Sequence, residues 1–97
     1  MTEVKWTFPA LEDVEKARSY IAQESLIYAN AVVTAIFDAV VPLSRFPRMG
    51  RVVPEWDDVN TRELIVGNYR VIYDIKGSLV RILIVFHGAR LLPKTKP

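Results

Sequence analysis

Glu63, Arg70, Asp74, Arg81 and His87, with Arg62 and Arg90 beside them, carry most of the chemistry in the C-terminal half of this chain. Their spacing suits one face of a small sheet. Metal-free cleavage of RNA needs a base for a 2′-hydroxyl proton, a cation for the crowded phosphoryl transition state, and an acid for the leaving oxygen. Glu63 or His87 could move the proton, and Arg70 and Arg90 could supply the charge. Plainer readings stand beside this one. Asp74 and Arg81 are most simply a cross-strand ion pair, and a histidine at a strand end is usually an ordinary surface residue. Arg70 lies between aliphatic neighbours, a costly place for a guanidinium unless it meets an acid or a ligand. Glu63 is the nearest acid by inference, so a structural Glu63–Arg70 pair is as natural as a catalytic one.

The elements that would position these residues are three antiparallel strands between Arg62 and Arg90. β-Branched and aromatic residues fill the stretch, and Gly67-Asn68 and Gly77-Ser78 divide it into strand-length pieces. Two-residue hairpins set Val66 opposite Tyr69 and Lys76 opposite Leu79. Counting outward puts Ile75 opposite Val80, Tyr73 opposite Ile82, Val71 opposite Ile84 and Tyr69 opposite Phe86 on one apolar face. The other face then holds Asp74 opposite Arg81, Ile72 opposite Leu83, Arg70 opposite Val85 and Asn68 opposite His87, with Glu63 opposite Ile72. One face must be covered; the other is a mixed surface on which something could bind.

The cover comes from the N-terminal half. Val4, Trp6 and Phe8 alternate along a short strand. Pro9 suits a helix start, Glu12 and Asp13 favour the positive end of that helix, and Leu11, Val14, Ala17 and Ile21 recur at helical steps from about residue 9 to 24. Ser25 is the expected cap of a second helix bearing Ala29, Val33, Ile36, Val40 and Leu43, which Pro42 must kink or end. The fold expected is α+β, with two N-terminal helices as an α-hairpin on one face of a twisted, mainly antiparallel four-stranded sheet. The first strand could pair parallel or antiparallel. Residues 46–58 read as an irregular connection, and the last seven residues are expected to fray.

The chain has 97 residues, enough for a single domain spanning 1–97. It contains no cysteine and one histidine, which excludes disulfides, thiolate metal sites and a histidine-rich metal centre. Neither a membrane span nor a leader peptide is read in it, and a cytoplasmic protein is expected. No phosphate-cradling glycine loop, Gly-x-Ser-x-Gly elbow or His-Glu-x-x-His is present, and neither metal nor cofactor is expected. The net charge of +2 conceals an asymmetry: residues 1–44 carry three basic and six acidic side chains, and residues 45–97 carry ten and five. An anionic partner would be drawn to the sheet half.

The chain resembles the RelE/ParE superfamily of toxins from type II toxin-antitoxin systems, also called plasmid stabilisation proteins. The resemblance rests on Trp6-Thr7, Tyr20-Ile21-Ala22, Phe46-Pro47, Gly50-Arg51, Arg62-Glu63-Leu64, Tyr69-Arg70-Val71-Ile72-Tyr73 and His87-Gly88-Ala89-Arg90, in that order over nearly the whole length. It implies a growth-arresting toxin held inactive in a hetero-oligomer by an antitoxin encoded in the same operon. RelE-like members enter the ribosome and cut mRNA; ParE-like members poison DNA gyrase. By resemblance Arg70 and Arg90 match the strand and C-terminal arginines of the nucleases. Glu63 stands where several of them have lysine, and no tyrosine follows Arg90, so their terminal catalytic residue is either absent here or replaced by His87. Arg62, Arg81 and Arg51 are the expected contacts to the target, and Ile65, Ile72, Leu83 and Val85, taken as exposed, the expected antitoxin contacts. A degenerate toxin that only binds antitoxin is the third reading.

Overall fold

The computed structural model describes residues 1–94. β1 (Glu3–Trp6) leads into α1 (Phe8–Ala22), α2 (Leu26–Val40) and a 3₁₀ turn over Val41–Ser44. Then come β2 (Arg51–Val52), β3 (Thr61–Val66), β4 (Tyr69–Lys76) and β5 (Leu79–His87). The sheet has five strands in the order β1-β5-β4-β3-β2, with β1 parallel to β5 and the other pairs antiparallel. The expectation of four strands is thereby corrected. The fifth is the two-residue β2, pairing Arg51 with Glu63 and Val52 with Arg62 inside the stretch read as irregular.

Local chemistry explains the element ends. Thr7 caps α1: its hydroxyl accepts from the Ala10 amide at 3.3 Å and donates to the Ile82 carbonyl of β5 at 2.7 Å, joining helix to sheet. Because Thr7 ends the strand, Phe8 becomes the first helical residue and is largely exposed, against its expected place beside Val4 and Trp6. The helix start also lies earlier than expected, so Glu12 and Asp13 fall beyond its first turn. Ser25 caps α2 through the Tyr28 amide, as expected. Gly67 and Gly77 take φ of +57° and +59° while Asn68 and Ser78 stay negative, the arrangement of type II′ hairpins.

The helices cover one face of the sheet. Ala10 and Val14 from α1, with Ile36, Val40 and Leu43 from α2 and its 3₁₀ extension, pack on Val71, Tyr73, Val80, Ile82 and Val85. Each large side chain buried there contributes about 1.5–3 kcal/mol. The segment Leu26–Ser44, with mean hydropathy 1.8, is long and apolar enough to cross a membrane by composition; here it is the covering helix and its 3₁₀ turn. Much of its outer side is nonetheless apolar and exposed, at Leu26, Ile27, Tyr28 and Val41.

The expected register holds for the β3–β4 hairpin and for the second hairpin from Lys76–Leu79 out to Tyr73–Ile82, then breaks. Ile72 pairs with Ile84, so Leu83 is an extra residue on β5 and everything beyond it moves by one: Val71 pairs with Val85, Arg70 with Phe86 and Tyr69 with His87. Val85 therefore joins the helix-covered core, Phe86 crosses to the other face, and His87 moves to the helix side next to Tyr69. Asp13 of α1 accepts from the Val85 amide at 3.0 Å, just past the bulge.

The connection from 46 to 60 is ordered and crosses the face opposite the helices. Val53 and Trp56 pack there with Ile72, Ile84, Phe86 and Leu92 as a second small core. Trp56 Nε1 donates to the Pro93 carbonyl at 2.8 Å, so the chain beyond Arg90 is tied down at least to Pro93. The fraying expected of residues 95–97 lies outside the described residues.

Candidate functional site

Arg70 projects away from the helices, as expected, and enters a cage. Its Nε donates to Glu63 Oε1 at 2.5 Å, and its two terminal nitrogens form a fork on Glu55, with Nη1 to Oε2 at 2.8 Å and Nη2 to Oε1 at 2.9 Å. The guanidinium carbon lies 5.2 Å from the centroid of the Phe86 ring that the bulge places beneath it. Only 8% of Arg70 remains exposed. The other oxygen of Glu63, a residue 1% exposed, accepts from Arg51 Nε at 2.5 Å. One buried carboxylate thus bridges two arginines, and a second closes the outer end of the cage.

The electrostatics follow from these contacts. Hydrogen bonds to Glu55 raise the Arg70 pKa beyond its ordinary value; burial opposes the shift, and Glu63 adds to it. The hydrogen bonds from Arg70 hold Glu55 down at about 2, against partial desolvation. Glu55 sits on the connection, and the strand pattern gave no sign of it. The available signal was the pair Val53 and Trp56, apolar residues flanking an acid in an otherwise polar stretch.

The remaining expected residues are dispersed. Arg81 is forked to Asp74, with Nε to Oδ1 at 3.0 Å and Nη2 to Oδ2 at 2.5 Å, the ion pair read from the register. Arg62 donates to the carbonyls of Val59, Arg48 and Gly50 at 3.0, 3.2 and 2.9 Å and so pins the connection to β3. Beside it, the Tyr73 hydroxyl donates to the Pro47 carbonyl at 2.7 Å and accepts from the Gly50 amide at 3.0 Å. Of the cations expected to meet a target, Arg51 is the most exposed.

His87 does not join Glu63 and Arg70, contrary to the expectation of a shared concavity, because the Leu83 bulge turns it to the opposite face. It stands edge-on to Tyr69 with ring centroids 5.5 Å apart, and its Nδ1 accepts from the Ala89 amide at 3.1 Å. Arg90 is exposed close by, and both line a cavity of about 380 Å³ on the helix side with Lys16 and Tyr20. His87 and Arg70 meet only as parts of the rim of an open cavity at the end of the sheet. Of the side chains expected to touch an antitoxin, Ile65 is exposed and Leu83 partly so. Ile72 and Val85 are buried, the first by Val53 and Trp56, the second by the register shift.

Comparison with known proteins places this arrangement. Residues 4–92 match the family described as ParE toxin of type II toxin-antitoxin system, parDE. The chain is 34% identical over 92 residues to Toxin RelE2 of Caulobacter vibrioides, covering 94% of this chain and all of that protein. Among solved structures it resembles a chain of the chromosomal ParDE system of P. aeruginosa, with TM-score 0.74, 23% identity, and 90% and 96% of the two chains covered. It also resembles one of the RelBE2 toxin-antitoxin complex of Mycobacterium tuberculosis, with TM-score 0.57, 29% identity, and 92% and 93% covered.

Proposed function

We propose that this chain, which belongs to the ParE toxin family of type II toxin-antitoxin systems, acts as a non-enzymatic poison of DNA gyrase rather than as an RNA-cleaving enzyme. The observation that carries this reading is the cage. Glu63 has one oxygen on Arg51 and the other on Arg70, and both terminal nitrogens of Arg70 are forked on Glu55. General-base catalysis needs an acceptor within reach of the proton it takes, and phosphoryl transfer needs an uncommitted cation. On the face away from the helices the strongest candidates for both roles neutralise each other. A binding toxin needs neither, and surface contacts suffice.

A cognate antitoxin from the same operon is the expected neutralising partner, and both structural relatives come from toxin-antitoxin systems. Two features bear on such a partner. α2 shows an apolar outer side that a soluble chain gains by covering. β1 pairs with β5 only as far as Ile82; beyond it Asp13 holds the Val85 amide, so a strand added to this edge of β5 would displace that carboxylate. Ile65 and Leu83 remain the expected contacts from the sheet.

The ribosome-dependent endonuclease is the second reading, favoured by exposed His87 and Arg90 at one end of β5 and by the likeness to a protein named Toxin RelE2. One experiment separates the readings: induction of the chain with and without its neighbouring open reading frame, followed by gyrase supercoiling assays and primer extension on a translated mRNA. Growth arrest with inhibited supercoiling and intact mRNA supports the proposal. Discrete mRNA cuts with normal supercoiling overturn it in favour of the nuclease, and unimpaired growth in favour of a degenerate toxin.

A further inference from the structure

At the end of the sheet where β4 stops and β3 and β5 begin, opposite the end that holds His87, the connection from Arg45 to Met49 forms an exposed turn. Phe46 is 63%, Met49 52% and the neighbouring Val59 61% exposed. Phe46, Pro47, Arg48 and Met49 line a shallow cavity of about 430 Å³. Arg48 ties Val59 to that turn, donating to the Val59 carbonyl at 3.3 Å and to Asn60 Oδ1 at 2.9 Å. Single exposed apolar side chains are ordinary on a folded chain; three around one turn make a patch.

The backbone beneath the patch is fixed from several sides. The Phe46 amide donates to the Pro42 carbonyl at 2.9 Å and the Met49 amide to the Phe46 carbonyl at 3.1 Å. The Tyr73 hydroxyl holds Pro47 and Gly50, and Arg62 holds the carbonyls of Arg48 and Gly50. A partner that covers Phe46 and Met49 therefore meets little cost in ordering the loop. The charge around the patch is positive. Arg45 makes no ion pair among the described residues, and the side-chain hydrogen bonds of Arg48 go to neutral acceptors. Asp58, the nearby acid, accepts from the Asn60 amide at 2.9 Å and the Thr61 hydroxyl at 3.2 Å. Residues 45–49 contain phenylalanine, methionine and two arginines but no lysine or acid, which is the composition of the centre of a protein interface.

We propose that the Arg45–Met49 turn is the surface with which this chain grips its protein target, Phe46 and Met49 entering an apolar pocket whose rim carries carboxylates for Arg45 and Arg48. With that target taken as gyrase, the surface rests on the reading of the chain as a binding poison and names the contact such a poison needs. It uses neither the caged arginine nor the His87 end of the sheet.

The test measures binding of the 97-residue chain to purified gyrase, with and without DNA, beside the supercoiling assay. Phe46→Ala with Met49→Ala, both at exposed positions, should weaken binding about thirtyfold or more, the loss expected of centrally placed apolar anchors. Arg45→Glu should weaken it about tenfold, and less at high salt. Both variants should melt with the wild type and bind the antitoxin from the neighbouring open reading frame as tightly; if the double variant melts early, Arg45→Glu decides. A wild type that leaves gyrase untouched overturns the gyrase reading and this surface with it. Inhibition by the wild type that the variants match overturns the surface alone. Binding that requires DNA and ignores the Phe46 and Met49 substitutions overturns it in favour of a nucleic-acid contact. Lost antitoxin affinity with gyrase inhibition intact overturns it in favour of the antitoxin.

Discussion

Replacing Arg70 by alanine removes the charge that the cage is built around, and its effect on stability can be worked from the contacts. Glu63 is 1% exposed and faces two guanidiniums; after the substitution it keeps Arg51 alone. Removing one partner of a buried ion pair typically costs about 3–5 kcal/mol. The retained Arg51 contact sets the expectation at the lower end, about 3 kcal/mol, with the lost packing on Phe86 included. Glu55 adds little, because its side chain is 36% exposed and rehydrates when released. A domain of this size has about 5–15 kcal/mol in total, so Arg70→Ala should remain folded but with a much smaller margin. In urea, with a slope near 1 kcal/mol per molar, the unfolding midpoint should fall by roughly 3 M. Arg70→Met combined with Glu63→Leu, which removes the buried charges together, should recover most of the loss. A midpoint change below about 1 M for Arg70→Ala would refute the reasoning, as would a double variant no more stable than the single. One corollary concerns toxicity: a harmless Arg70→Ala strain is explained by instability as readily as by lost chemistry. Arg70→Lys, which keeps a charge but not the fork, is the better probe.

Gly50→Ala should destabilise by about 2 kcal/mol in chemical denaturation, because a Cβ there would lie 2.6 Å from the Glu63 carbonyl and 2.6 Å from the Tyr73 hydroxyl. Tyr73→Phe should cost about 1–2 kcal/mol by the same measurement, since it strips a partner from both the Pro47 carbonyl and the Gly50 amide. The Glu55 carboxyl is lowered from 4.5 to about 2 by Arg70, so its contribution is complete above about pH 4.5 and is lost as the pH falls through 2. Discounted for exposure, it amounts to about 1 kcal/mol, and Glu55→Gln should remove that share of the wild type's acid sensitivity in thermal melts between about pH 5 and 2.

Much of the molecule is legible in the chain because its signals are local. The Ser25 cap, the two glycine turns and the helical periodicity of Val14, Ala29, Ile36 and Val40 each depend on a few neighbouring residues, and the structure realises each of them. The same holds for the Asp74–Arg81 pair, close to a turn that fixes its register. The direction of Arg70, away from the helices, and its pairing with Glu63 also follow from the first hairpin.

The last part of β5 is different. Ile82-Leu83-Ile84-Val85-Phe86 is five apolar residues in succession, and without alternation no residue is marked for one face or the other. The bulge at Leu83 appears only in the folded chain, where α1 packs on β5 and Asp13 accepts from the Val85 amide just past it. That single insertion takes His87 away from Arg70 and puts Phe86 beneath the guanidinium. The cage is likewise a tertiary outcome. Glu55 reaches Arg70 because Val53 and Trp56 anchor their loop across the sheet, a contact between segments fifteen residues apart that no period in the chain records. Sequence alone determined which residues are charged, where α2 and the two hairpin turns begin, and which family the chain resembles. Tertiary structure decided which of those charges remain available, because that depends on what packs above each strand.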